Sequence, residues 1–246
     1  MSIAFEPLPF EPGYRRVASA IAARILDRTL KVGDPLPPEH ALAAQFQVNR
    51  STIREALREL ESGHLVARRR GTKRMVVSRP ATGQVAGRVS HALALHGVTV
   101  REVWALLEVL EPPAAEAAAQ LRSPASVARI AAAARDYADG NADAAVAVEA
   151  AAEFLRAVAA ATGNRVLPLT HEPLLMLLQS ALRIMIDRAP PARGRIAAAQ
   201  ARILAAIASG DAATARAWMG KHIRDFRRGF EVAGIDVDTP LLPVVP

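Results

Sequence analysis

Residues 47–71 read QVNRSTIREALRELESGHLVARRRG. Ile53, Leu57 and Leu60 recur at helical spacing, with Arg54, Glu55, Arg58 and Glu59 on the other side. The stretch therefore predicts an amphipathic helix from about Ser51 to Ser62. Gly63 is placed to end it in a left-handed cap. Beyond it, LVARR and RMVVS are short β-prone runs joined across RGTK, the pattern of a small hairpin.

The residues upstream supply two more helices. Val17, Ile21, Ile25 and Leu26 form a helical stripe within Tyr14–Leu30. Gly33, Pro35, Pro37 and Pro38 then break the chain, and Pro38 suits the first turn of a helix that presents Ala41, Leu42 and Phe46 to a core. Helix, helix, turn, helix, hairpin is the order of a winged helix-turn-helix, expected over residues 14–78 behind an extended arm at 1–13.

Such a unit reads DNA if the first turn of its third helix carries suitable side chains. Arg50, Ser51, Thr52 and Arg54 offer guanidinium groups for guanine edges or phosphates, hydroxyls, and a helix end that favours an anion. The hairpin adds Arg68, Arg69, Arg70, Lys73 and Arg74, of which alternation lets about half face a phosphate or a narrow minor groove. The competing reading of the spacing is a solvated amphipathic helix followed by a basic loop. Charge distribution favours the DNA reading. Residues 1–79 hold 14 Lys and Arg against 8 Asp and Glu, whereas 80–246 hold 17 against 16, so the basic excess sits in the first third.

A linker is expected at 79–84, followed by an all-α antiparallel bundle of six or seven helices over 85–232 and an extended tail at 233–246. Ser123-Pro124, Gly163-Asn164 and Gly210-Asp211 punctuate the bundle. Pro112-Pro113 is expected to kink or split the helix that contains Val103, Leu106, Leu107 and Leu110. The fold class is thus mostly α, with a two-stranded wing.

Residues 14–78 resemble the N-terminal domain of GntR-type bacterial transcription regulators. The likeness runs through Leu36-Pro37-Pro38-Glu39, Asn49-Arg50-Ser51-Thr52 and Arg54-Glu55-Ala56-Leu57. It implies DNA binding by Arg50, Ser51, Thr52, Arg54 and the wing residues Arg68, Arg69, Arg70 and Lys73, with His40 at a position that usually holds a DNA-contacting arginine. Two further departures concern the wing and its approach: the family glycine falls where His64 stands, and Lys73 replaces another glycine.

Residues 84–230 resemble the all-helical FCD-type effector domain of the FadR-like branch. The resemblance rests on EVWALLEVLEPPAAEAAAQL, EFLRAVAAATGN and ILAAIASGDAATARAWMGKHI. Many such domains hold a divalent metal through one aspartate and three histidines, and the metal helps bind a small carboxylate. Carried over by position, those sites are Ala151, Leu155, Gln200 and His222 here, and the effector-anchoring arginine is Leu107. One imidazole cannot hold zinc, which wants three or four protein ligands, so no metal cofactor is expected. Two readings stay open. One is an apolar effector pocket lined by Leu107, Ala151 and Leu155, with Arg183, Gln200 and His222 as its polar groups. The other is a bundle packed shut that only dimerises and scaffolds. A one-turn shift in register would instead bring Glu149 and Glu153 to the site.

Other chemistry is excluded by what the chain lacks. Absence of cysteine removes a disulfide scaffold, a thiolate zinc site and a cysteine nucleophile. No phosphate-binding glycine loop, Gly-x-Ser-x-Gly or metal-spaced histidine pair is present, so an enzyme is not expected. No apolar run reaches the roughly 18–20 residues of a membrane span, and MSIAFEPLPFEPGYRR is not patterned as a signal peptide. The expectation is a cytoplasmic homodimer that binds a double-stranded operator as a repressor and answers to a small molecule. The alternative is an effector-independent DNA-binding regulator.

Overall fold

A computed structural model describes residues 11–69, 71–72, 74–138 and 143–241. They fall into two compact units, 1–81 and 82–246. In the first, α1 (Gly13–Leu26), α2 (Glu39–Phe46) and α3 (Arg50–Ser62) are followed by β1 (Val66–Arg68) and β2 (Met75–Val77). The strands are antiparallel, pairing Val66 with Val77 and Arg68 with Met75.

The core of this unit draws on every element. Val17, Ala18 and Ile21 of α1, Leu42 of α2, Ile53, Ala56, Leu57 and Leu60 of α3, and Val66 and Val77 of the wing are buried together with Leu36. Ile53 is wholly inaccessible to solvent, which anchors α3 at its start. Leu26, expected in the α1 stripe, is instead 74% exposed. It follows Ile25 by one residue, about 100° further round the helix, and so leaves the buried face.

Asn49 starts α3. Its Oδ1 accepts from the Thr52 backbone N–H at 2.8 Å, from Ser51 Oγ at 2.7 Å and from Thr52 Oγ1 at 2.8 Å. The other end corrects the expectation for Gly63. That glycine has φ −78°, still right-handed, and the left-handed residue is His64 at φ 58°. The reversal falls one residue later because the Leu65 N–H reaches back to the Leu60 carbonyl at 3.0 Å.

The second unit contains α4 (Thr82–Leu95), α5 (Val100–Leu121), α6 (Pro124–Ala138), α7 (Ala144–Ala161), α8 (Leu167–Arg188), α9 (Pro191–Ser209) and α10 (Ala212–Val232). α4 begins inside the expected linker. Alanine-rich faces let these helices lie close, and α5 packs along α10, where Trp104 meets Phe226 and Phe230 at centroid separations of 5.5 and 5.8 Å. Ser123, Gly210 and Asp211 cap as expected: the Ser126 N–H donates to Ser123 Oγ, Gly210 takes φ 79°, and the Thr214 N–H donates to Asp211 Oδ1.

Pro112 and Pro113 do not split α5, which runs unbroken across them. The two carbonyls that lose their donors belong to Glu108 and Val109, both exposed, where water can satisfy them. A capping box between Thr99 and Glu102 secures the start of the helix.

The tail also departs from an extended appendage as far as residue 241. Arg101 donates to both Asp238 carboxylate oxygens, at 2.5 and 2.8 Å, and the Leu241 N–H donates to the Val98 carbonyl at 2.8 Å. Leu241 is buried in the bundle core, so apolar burial outweighs the freedom of a loose end. Residues 242–246 lie outside the described residues.

Candidate nucleic-acid interface and helical interior

α2, α3 and the wing bring several basic groups of the first unit to one cleft of about 850 Å³. Pro38 accepts the first hydrogen bonds of α2, from Ala41 and Leu42, and buried Leu42 pins the helix to the core. Glu39 is thereby held at the start of α2, facing the first turn of α3. Arg54 Nε donates to Glu39 Oε2 at 2.9 Å, and Arg50 Nη2 lies 3.7 Å from the same oxygen. The Arg54 hydrogen bond holds the Glu39 carboxyl below the usual carboxylate range.

His40, Arg50, Arg54, Arg68 and Arg74 all line this cleft, joined by Arg58, which was not assigned as a DNA contact from sequence. Arg68 sits at the exposed end of β1, with its Nε 3.8 Å from Glu61 Oε1. Arg69 is exposed at the wing turn, where its backbone N–H donates to the Arg74 carbonyl. Arg70 and Lys73 lie outside the described residues. The hydroxyls of Ser51 and Thr52 both donate to Asn49 Oδ1 and hold the helix end in shape.

In the second unit, Leu107, Ala151, Leu155, Gln200 and His222 are all buried. Arg183, expected among them, is exposed, because it falls on the outer face of α8 while Leu182 and Met185 fill the inner one. Glu149 and Glu153 also point away from the core. Glu149 pairs with Arg156 at 2.6 Å and Glu153 with Arg129 at 2.7 Å, so a one-turn shift in register is not realised.

The polar groups inside are poorly matched. Both nitrogens of His222 and both side-chain amide atoms of Gln200 lack a hydrogen-bond partner among the described residues. His222 rests against Phe226, with ring centroids 4.8 Å apart, and burial pushes its imidazole pKa down to about 3, so it is neutral. The cavity beside it is about 10 Å³, the size of one water. Elsewhere in the core, His171 Nε2 lies 2.6 Å from Glu111 Oε1, with both groups buried, a pairing that the sequence did not announce. No group of three or more His, Asp or Glu able to hold a metal occurs among the described residues. The residues at the family's metal positions, with one imidazole among them, do not fit such an ion.

A winged helix with a basic cleft at the start of its third helix, followed by a separate helical unit, defines a class: transcription regulators that read DNA with one domain and carry a second, all-α domain. Residues 13–76 match the family described as bacterial regulatory proteins, gntR family, and residues 102–225 match the FCD domain. The HTH-type transcriptional regulator LutR of Bacillus subtilis is 30% identical over 198 residues, covering 79% of this chain and 90% of LutR. The HTH-type transcriptional repressor PhnF of Mycolicibacterium smegmatis is 43% identical over 79 residues, about a third of each chain. A solved structure of Streptococcus agalactiae GntR shares the fold, with a TM-score of 0.57 at 22% identity over 87% of this chain and 99% of that one. The chain belongs to the GntR family of bacterial transcription regulators, in the FadR-like branch with an FCD domain. It is a DNA-binding regulator and not an enzyme. No helix among the described residues is long and apolar enough to cross a membrane.

Proposed function

We propose that this regulator is a cytoplasmic homodimeric repressor whose hold on a two-fold operator is released by a small, largely apolar molecule bound inside the helical domain without metal. A two-fold dimer matches two-fold half-sites, and a dimer seated on a promoter blocks it with no further contacts. Relatives named as repressors, PhnF among them, support that sign. The observation that carries the effector reading is that Gln200 and His222 are both buried with no hydrogen-bond partner among the described residues. An unmatched buried polar group costs about 1–3 kcal/mol, and a ligand bearing one donor and one acceptor would recover much of it. Leu107, Ala151 and Leu155 would leave a buried carboxylate unpaired, which argues against the acidic effectors used with a metal.

The 10 Å³ cavity beside His222 favours a second reading, a closed bundle with no effector. Native mass spectrometry of the full chain separates the two. A dimer carrying an organic mass and no zinc or nickel, with that mass lost in the Gln200→Leu, His222→Leu double variant, supports the effector site. A stoichiometric metal overturns the metal-free assignment. A bare dimer whose operator complex withstands a screen of apolar small molecules leaves the closed bundle.

A further inference from the structure

Arg54 is held unusually for a side chain in a DNA-facing cleft. Its Nε is bound to Glu39 Oε2 at 2.9 Å, and its terminal amino groups make no hydrogen bond among the described residues. That leaves the outer end of the guanidinium, two parallel N–H groups, to meet a guanine O6 and N7. The carboxylate is itself fixed: Glu39 opens α2, where the positive end of the helix favours it, and Leu42 of the same helix is 3% exposed.

We propose that Glu39 is a positioning residue for sequence discrimination, aiming Arg54 end-on at one guanine and discouraging unspecific contact of Arg50 and Arg54 with phosphate. The inference rests on Arg54 as a base reader. Two physical effects follow from one carboxylate. An arginine already oriented loses less rotamer freedom when it meets its base, so the right sequence binds more tightly. A negative charge beside two arginines at a phosphate-facing surface weakens attraction to any duplex, so the wrong sequence binds less tightly. A residue that merely supported the fold would move both affinities in one direction.

The test uses the full-length protein and a duplex it selects from a random-sequence pool, with a scrambled duplex of equal composition as comparison. Glu39→Ala is expected to weaken binding to the selected duplex and strengthen binding to the scrambled one, reducing discrimination by about tenfold. Glu39→Gln keeps an oxygen that accepts from Arg54 Nε, so it should retain affinity for the selected duplex while gaining on the scrambled one. Replacing the contacted guanine by 7-deazaguanine, which removes N7, should weaken the wild type and leave Glu39→Ala indifferent. Equal loss on both duplexes with the 7-deazaguanine effect intact overturns the role of Glu39. If Arg54→Ala binds the selected duplex as the wild type does, the base-reading assignment falls, and the role of Glu39 with it.

Discussion

Arg54 and Arg50 lie four residues apart on α3 and share one acidic neighbour, so neither acts as an isolated surface charge. Arg54→Ala is expected to weaken operator binding by about 1–3 kcal/mol, read as a change in Kd by fluorescence anisotropy. Unchanged affinity would remove Arg54 from the interface. His222 makes a different residue-scale prediction. Its folded pKa, about 3, lies below the roughly 6.5 of an unfolded histidine, so the unfolded chain takes up the proton first as the solution is acidified. The stability held by neutral His222 is therefore complete above about pH 6.5 and declines below it, by up to about 1.4 kcal/mol per pH unit. Urea unfolding at about pH 7 and about pH 5.5 should show a steeper acid loss for the wild type than for His222→Gln. Equal slopes would mean that His222 is protonated in the folded protein. The residue types at both sites were legible from the chain. The Glu39–Arg54 bond was not, because 15 residues and a turn separate its partners and only the packing of α2 on α3 joins them.

Ends of elements show where local rules hold and where they slip. Ser123, Gly210 and Asp211 do what their chemistry suggests, since a cap is decided within three or four residues. Gly63 does not, although it is the residue best suited to a left-handed turn. The return of Leu65 to the Leu60 carbonyl sets the reversal at His64, a side chain that bears strain of about 1 kcal/mol there. His64→Gly should relieve it and raise stability by roughly that amount in urea unfolding, without altering the wing; a lower midpoint would show that the His64 side chain contributes more than its backbone costs. α5 teaches the complementary lesson. Two consecutive prolines do not interrupt it, because the carbonyls they deprive of donors are on exposed residues and the buried face stays continuous through Leu107, Glu111 and Ala115.

For the whole molecule, the basic excess belongs to the DNA-reading unit, and its effect should be visible in salt. Arg74 lines the cleft from the wing and is expected to neutralise a phosphate. Arg74→Ala should make the plot of log K against log salt shallower by about one and leave sequence preference unchanged; an unaltered slope would exclude the phosphate contact. Hydrophobic periodicity, breakers and charge in the sequence determined the winged helix, the bundle of helices, and the arginines at the start of α3. Those are local properties, written in spacings of three, four and two residues. The tertiary structure alone decided which acid meets which arginine, that Arg183 faces outward, and that the tail to Leu241 folds onto the bundle. It alone left Gln200 and His222 buried with no hydrogen-bond partner among the described residues. Each of these depends on which helix faces lie together, and that is set by the summed burial of many distant side chains rather than by any one stretch of the chain.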